Sequence, residues 1–292
     1  MNRNRFIKII GGTFAMATLS SFRSFADSVG NTGSVMPVLF IGHGSPMNGI
    51  EDNEFSRRWS KLGSDIQQPV AVLCISAHWL TNGTCITAMP QPKTIHDFGG
   101  FPPELYNVQY PAPGSPAIAH ETVQSISKTQ VTLDHDWGLD HGCWTIMRHM
   151  YPKANIPILQ LSIDYNKPAK YHYELAQELM FLRMRGVLII GSGNMVHNLR
   201  MIAWNKINEA EYGYDWAIEA NNKFKNLITS HNHEALIEYD KLGRSVENAI
   251  PTPDHFYPLL YALALQQSTD NIEIFNDKCV AGSLTMTSVR IG

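Results

Sequence analysis

The sequence predicts an α/β fold, a single domain in which a mostly parallel central sheet is flanked by helices. Three observations point there. Short continuous apolar runs recur along the chain, as in strands buried on both faces. Stretches with helical periodicity lie between those runs, the alternation that feeds parallel strands through crossover helices. Finally, the chain shows no internal repeat, low-complexity tract or linker that would divide it.

In chain order, VMPVLFIG (35–42) reads as the first buried strand and 53–62 as the first helix. VAVLCISA (70–77) reads as the second strand. Residues 90–115 then carry six prolines and three glycines without periodicity, long for a plain connection and expected to form a functional loop over the site. Helices are expected at 115–127 and 141–150, a strand at IPILQLSI (156–163), and a helix over 169–185 behind Pro168. Its end, ELMFLRMRG (178–186), reads as amphipathic with a solvated face. GVLIIGSG (186–193) is the fourth strand, helices follow at 214–230, 233–241 and 254–267, and NIEIFND and SLTMTSVRI read as closing strands. Met195 and Met201 read as core.

Composition narrows the function classes. The chain has 292 residues, 44% hydrophobic and 17% charged, too apolar for disorder and long enough to bury a large core unaided. Its 23 basic and 26 acidic residues give a formal charge of −3, with no Lys/Arg block of the kind that tracks nucleic-acid phosphates. No uninterrupted apolar run reaches the ~18 residues of a membrane span. MNRNRFIK is basic, the stretch 9–22 is mildly apolar, and Ser24-Phe25-Ala26 has a small-x-small cleavage pattern. Residues 1–26 therefore read as an export signal, Sec or twin-arginine-like, with residues 27–292 as the mature folded domain. Its use implies a periplasmic protein without membrane attachment after cleavage; without it the protein stays cytoplasmic. Cleavage would leave 19 basic against 26 acidic residues, a charge of −7 that argues further against nucleic acid.

Cys74, Cys85, Cys143 and Cys279 lack zinc-ribbon spacing, and Cys74 and Cys143 read as buried inert thiols. The histidines carry more information. His43 follows the first apolar run, His78 the second, and His197 the run LIIGSGNMVH. Three strands thus deliver imidazoles to their carboxyl ends, the edge where open α/β sheets bind ligands. His255, in PTPDHFYP, stands at the start of a helix and can join them. Converging neutral imidazoles suit Zn²⁺ or Fe²⁺. Competing templates fail: the sequence has no GxSxG, GxxxxGK[ST] or HExxH, and no GxGxxG follows a strand. Glycines 42, 44, 191 and 193 beside these histidines suit tight turns or close backbone approach.

The segments IGHGSPMN, SAHW, TIHDFGGFP, YPAPGSP, DWGLDHGCW, QLSID, GSGNMVHNLR and PTPDHFYPLLY resemble, in order, the 4,5-DOPA extradiol dioxygenase family, the class III or LigB-type ring-cleaving group, and most nearly its bacterial zinc-containing branch. The likeness spans the chain from Met36 onward. It implies a LigB-like fold and one divalent ion, Zn²⁺ or Fe²⁺, held by His43, His78 and His255. It implies His197 as the catalytic base and His141 as a second catalytic or substrate-facing imidazole oriented by Asp140. His96, Asp97, Phe98 and Asp140 would then contact substrate. His135 is expected to be incidental, and Trp79, Trp137 and Trp144 either wall an aromatic pocket or pack the core.

The implied reaction opens the ring of a DOPA-like catechol with O₂, giving a muconic semialdehyde, with His197 accepting the catechol proton at a pKa near neutrality. Many extradiol enzymes use two His and one carboxylate; a third imidazole here would leave the ion its full +2 charge, favouring catecholate and tolerating zinc. A zinc-dependent hydrolase built on the same three imidazoles and a non-catalytic catechol- or metal-binding protein remain the alternatives at this stage.

Overall fold

The computed structural model describes residues 35–292; the segment read as an export signal lies outside the described residues. The strands are Val38–Gly42 (β1), Ala71–Thr81 (β2), Thr84–Thr87 (β3), Val131–Asp134 (β4), Ile158–Asp164 (β5), Val187–Gly193 (β6), Ile272–Phe275 (β7), Cys279–Val280 (β8), Leu284–Thr285 (β9) and Ser288–Ile291 (β10). Eight of them form one sheet in the order β4-β3-β5-β2-β6-β1-β10-β7. The inner four, β5, β2, β6 and β1, run parallel, and antiparallel neighbours attach at either side through β3 and β10. β8 and β9 pair separately as a small ribbon.

The inner strands are buried throughout, except at the carboxyl end of β2. Side-chain alternation explains why both faces need cover. Val38 and Phe40 of β1 and Leu73 and Ile75 of β2 pack on one side; Leu39, Ile41, Val72 and Cys74 pack on the other. Helices Glu54–Asp65 (α1), Pro103–Tyr106 (α2) and His141–Met150 (α4) cover the second side. Pro116–Ser125 (α3), Ala169–Gln177 (α5), Met180–Met184 (α6), Asp215–Thr229 (α7), His233–Ile237 (α8), Arg244–Ala249 (α9) and Tyr257–Leu263 (α10) belong to the first. Capping sets two starts: Asn53 forms a capping box with Ser56 ahead of α1, and the Asp140 carboxylate accepts from Cys143 N ahead of α4. No helix among the described residues is long and apolar enough to cross a membrane.

Several elements depart from the sequence reading. The helix expected over 169–185 is two, α5 and α6, separated by Glu178 and Leu179. Arg183 in α6 does not join a solvated face. It is buried and clamps the fold: its guanidinium grips Asp270 through Nη1 at 2.5 Å and Nη2 at 2.9 Å and bonds the carbonyls of Leu265 and Met36. SLTMTSVRI splits into β9 and β10 because Met286 N turns to bond Lys278 O. Met201 lies on the surface, whereas Met195 is in the core.

The departure that matters most for function is in β2. The strand does not stop before His78 but continues to Thr81. It keeps step with β5 from Val72 opposite Ile158 to Ile75 opposite Leu161, then re-pairs only at Leu80 opposite Ile163. Residues 76–79 therefore leave the β5 ladder as a bulge, with Ser76 still paired to Ser192 of β6, and such a bulge re-aims a side chain that regular pairing would leave within the sheet. His78 sits on that bulge.

Candidate metal centre

The carboxyl ends of the parallel strands gather the imidazoles. His43 follows β1, and its N–H bonds the Gly193 carbonyl at 3.1 Å, tying it to the end of β6. His78 comes from the β2 bulge. His141 opens α4, and His255 precedes α10. The backbone of His255 lies directly on β6: Asn194 N donates to its carbonyl at 3.0 Å, and a Cβ at Gly193 would come within 2.1 Å of that oxygen. Only glycine permits this approach.

His43, His78 and His255 form a nearly equilateral triangle, with ring centroids 5.0 Å (43–78), 5.0 Å (78–255) and 5.4 Å (43–255) apart. Three imidazoles ligating one tetrahedral ion at about 2.0–2.1 Å place their centroids about 5 Å apart. The Nε2 atoms of His43 and His78 are 3.1 Å apart. That spacing matches two ligands of one ion, roughly 2.9 Å at a right angle and 3.4 Å at the tetrahedral angle. His141 also belongs to a group of potential donors with His43 and His78. Its ring is less evenly placed, 3.9 Å from His78 and 5.5 Å from His43. The donor atom of His255 groups with those of His197 and Asp254, while by ring centroids it is His255 that completes the regular triangle with His43 and His78.

Behind the rings stand hydrogen-bond acceptors. Asp254 accepts from His255 Nδ1. Asp97 Oδ2 lies 3.0 Å from His141 Nδ1 and 3.4 Å from His78 Nδ1, while Oδ1 accepts from His141 N at 2.9 Å. The carboxylates bonded to His141 and His255 hold the Nδ1–H tautomer of those two rings and leave their Nε2 lone pairs for an ion. Burial tends to raise Asp97, but its bonds from His141 prevail and hold it below the ordinary carboxylate value; Asp254 is lowered against burial by its bond from His255. Burial, followed by the neighbouring imidazoles, drives His43 and His78 well below the usual histidine value, so both are neutral donors at pH 7.

His197 stacks face to face on His255, with centroids 3.5 Å apart and planes 7° from parallel. Burial and then the His255 charge push its pKa down to about 3 rather than to the near-neutral value the sequence reading assigned. The neutral ring that results is the form able to accept a proton.

Asp140 is a correction. It does not orient His141, and its carboxylate does not line the site. It is fully buried, accepting from Ser76 Oγ at 2.7 Å, Gln160 Nε2 at 2.6 Å and Cys143 N at 3.1 Å, and burial followed by Asp97 raises its pKa. Its work is to cap α4 and hold that helix to β2 and β5, while Asp97 takes the orienting role.

The loop at 90–115 delivers Asp97 and an aromatic wall. Phe98 meets the His141 ring edge-on at 5.6 Å and packs against Tyr106 and Trp144. His96 turns away from the histidine cluster: its Nε2 lies 3.0 Å from Val108 O, so it braces the loop. Trp144 is core and Trp79 stacks on Trp137 at 5.6 Å. His135 is exposed, and all four cysteines are free thiols.

Gly142 is where these parts meet. A Cβ there would lie 2.6 Å from Ser76 Oγ, 3.0 Å from His78 Cδ2 and 3.2 Å from Ser192 Oγ. Gly142→Ala is therefore expected to displace His78, costing about 1–3 kcal/mol of stability by overpacking and lowering metal occupancy in protein that still folds. Elemental analysis of the folded fraction checks this; full occupancy would contradict it.

Residues 37–291 match the family model described as the catalytic LigB subunit of aromatic ring-opening dioxygenase. The chain belongs to the LigB family. A LigB relative named "4,5-DOPA dioxygenase extradiol" from Escherichia coli strain K12 is 47% identical over 262 residues, covering 88% of this chain and 95% of that protein. One of the same name from Beta vulgaris is 32% identical, covering 90% and 98%. The crystal structure of an uncharacterized Escherichia coli K12 protein superposes with a TM-score of 0.76 at 41% identity, covering 88% of this chain and all of that one. The LigB assignment makes the chain an extradiol ring-opening dioxygenase acting on a catechol with O₂ and a metal ion. It disfavours the hydrolase and binding-only alternatives.

Proposed function

We propose that this LigB enzyme opens the ring of a DOPA-like catechol, with His43, His78 and His255 holding Fe²⁺ and His197 acting as the base. The observation that carries the reading is the even triangle of those three imidazoles with a fourth neutral imidazole stacked beside it. When bound, Fe²⁺ supplies the electron transfer between ring and O₂ that zinc, lacking redox chemistry, does not. Both atoms of O₂ end in the semialdehyde product.

The chain's own residues do the rest. His197 takes a proton from the catechol hydroxyl, and the resulting anion beside it raises its affinity for that proton. Asp97 orients His141 toward the reacting ring, and Phe98 limits water on that side. Three neutral ligands leave the ion's charge uncompensated, which favours a catecholate over a neutral phenol. The names of the relatives support DOPA as a substrate. The basic, then apolar start of the chain supports export to the periplasm, with cleavage after residue 26.

Anaerobic reconstitution of the purified protein with Fe²⁺ or Zn²⁺, followed by DOPA and air, tests the reading. Oxygen uptake and semialdehyde colour are expected with iron alone. Turnover by the zinc form, or bound DOPA left intact by the iron form, would overturn the metal or the substrate respectively.

A further inference from the structure

Three of the site's imidazoles, His78, His141 and His255, are backed by carboxylates. His43 is not: its Nδ1 lies 2.9 Å from the hydroxyl of Ser192 in β6. A hydroxyl can donate or accept, so on its own that contact leaves the imidazole tautomer open. The second contact decides it. Ser192 Oγ lies 2.6 Å from the carbonyl of Gly142, which can only accept. The single hydroxyl proton is committed to Gly142, and His43 Nδ1 must therefore be the donor to Ser192.

From this geometry we infer that Ser192 is a positioning residue for the metal site, fixing His43 with its proton on Nδ1 and its Nε2 lone pair toward His78. The inference rests on His43 being a metal ligand. Ser192 also joins two ligand-bearing elements, since Gly142 follows His141 at the start of α4 while Ser192 pairs with Ser76 across the sheet, at the foot of the His78 bulge. It is fully buried, so bulk water does not compete for either bond. Without the hydroxyl the His43 ring is free to carry its proton on Nε2, where it blocks coordination, or to turn about its χ2 axis.

The test is Co²⁺ binding to the full-length protein, read by the d–d absorption spectrum and by competition with a chelator. Ser192→Ala is expected to weaken Co²⁺ by roughly 10–100-fold, the usual cost of losing a partner behind a ligating histidine, and to alter the spectrum. Ser192→Thr, which keeps the hydroxyl, should bind Co²⁺ well above the Ser192→Ala level. Ser162→Ala removes an equally buried hydroxyl on β5 that bonds Thr81 and the Cys85 backbone and no imidazole. It should lower the melting temperature without changing Co²⁺ binding. If Ser192→Ala does not fold, the nearly isosteric Ser192→Cys carries the test through ¹⁵N-histidine NMR of the metal-free protein. The His43 proton should move from Nδ1 in the wild type to a mixture in the variant.

Unchanged Co²⁺ affinity and spectrum in Ser192→Ala, or an unchanged Nδ1–H signal in Ser192→Cys, would overturn the inference. Full Co²⁺ binding by His43→Ala would instead overturn the ligand assignment on which it rests.

Discussion

His78→Ala and His43→Ala are each expected to abolish stable metal binding and turnover together. Each removes one corner of a three-imidazole set, so the loss should exceed the roughly 10–100-fold that an outer hydrogen-bond partner costs. Neither substitution should unfold the protein. A chain of this length carries a large core on both sides of its sheet, and His43 and His78 lie toward the carboxyl ends of its strands, outside both hydrophobic clusters. Removing either of these buried, desolvated rings, which repel each other when protonated, should even relieve the acid sensitivity of the metal-free form. Metal content after gel filtration, with circular dichroism as the folding control, measures this. A folded His78→Ala protein that keeps one ion per chain would remove His78 from the ligand set.

His197→Ala should behave oppositely, retaining the ion and losing the reaction. His197 stacks on His255 without joining the triangle, and its neutral ring is the available proton acceptor beside the site. Loss of a positioned base typically costs about 10²–10⁴ in rate, or roughly 3–5 kcal/mol of barrier. Metal stoichiometry and catechol affinity should stay near wild type while kcat falls. If metal and rate fall together, His197 is a ligand and the division of labour proposed here fails.

Much of this architecture was readable from residue order. Continuous apolar runs report strands covered on both faces, and glycines behind His43 and ahead of His197 report the places where the backbone turns or is approached closely. What periodicity does not report is where a strand leaves its ladder. The His78 arch depends on β5 re-pairing three residues out of step with β2, a property of two segments more than eighty residues apart in sequence. For the same reason residue order points to the wrong orienting carboxylate. Asp140 adjoins His141 in sequence, but as an N-cap its side chain turns back onto the helix, while Asp97 arrives from a distant loop. Arg183 looks solvated within its own short helix and becomes a buried clamp only because Asp270 and two distant carbonyls converge on it. Ser192 carries no signal in the string GSGN. Its role exists only through the simultaneous nearness of His43 and Gly142.

The central claim is that His43, His78 and His255 share one ion. The most direct measurement is an anomalous-scattering difference map from crystals of the iron- or zinc-loaded protein. A single peak about 2.0–2.1 Å from Nε2 of all three rings is the expected result, with His197 beside it and Asp97 behind His78 and His141. A peak coordinated by His141 in place of His255, or centred between His197 and Asp254, would contradict it.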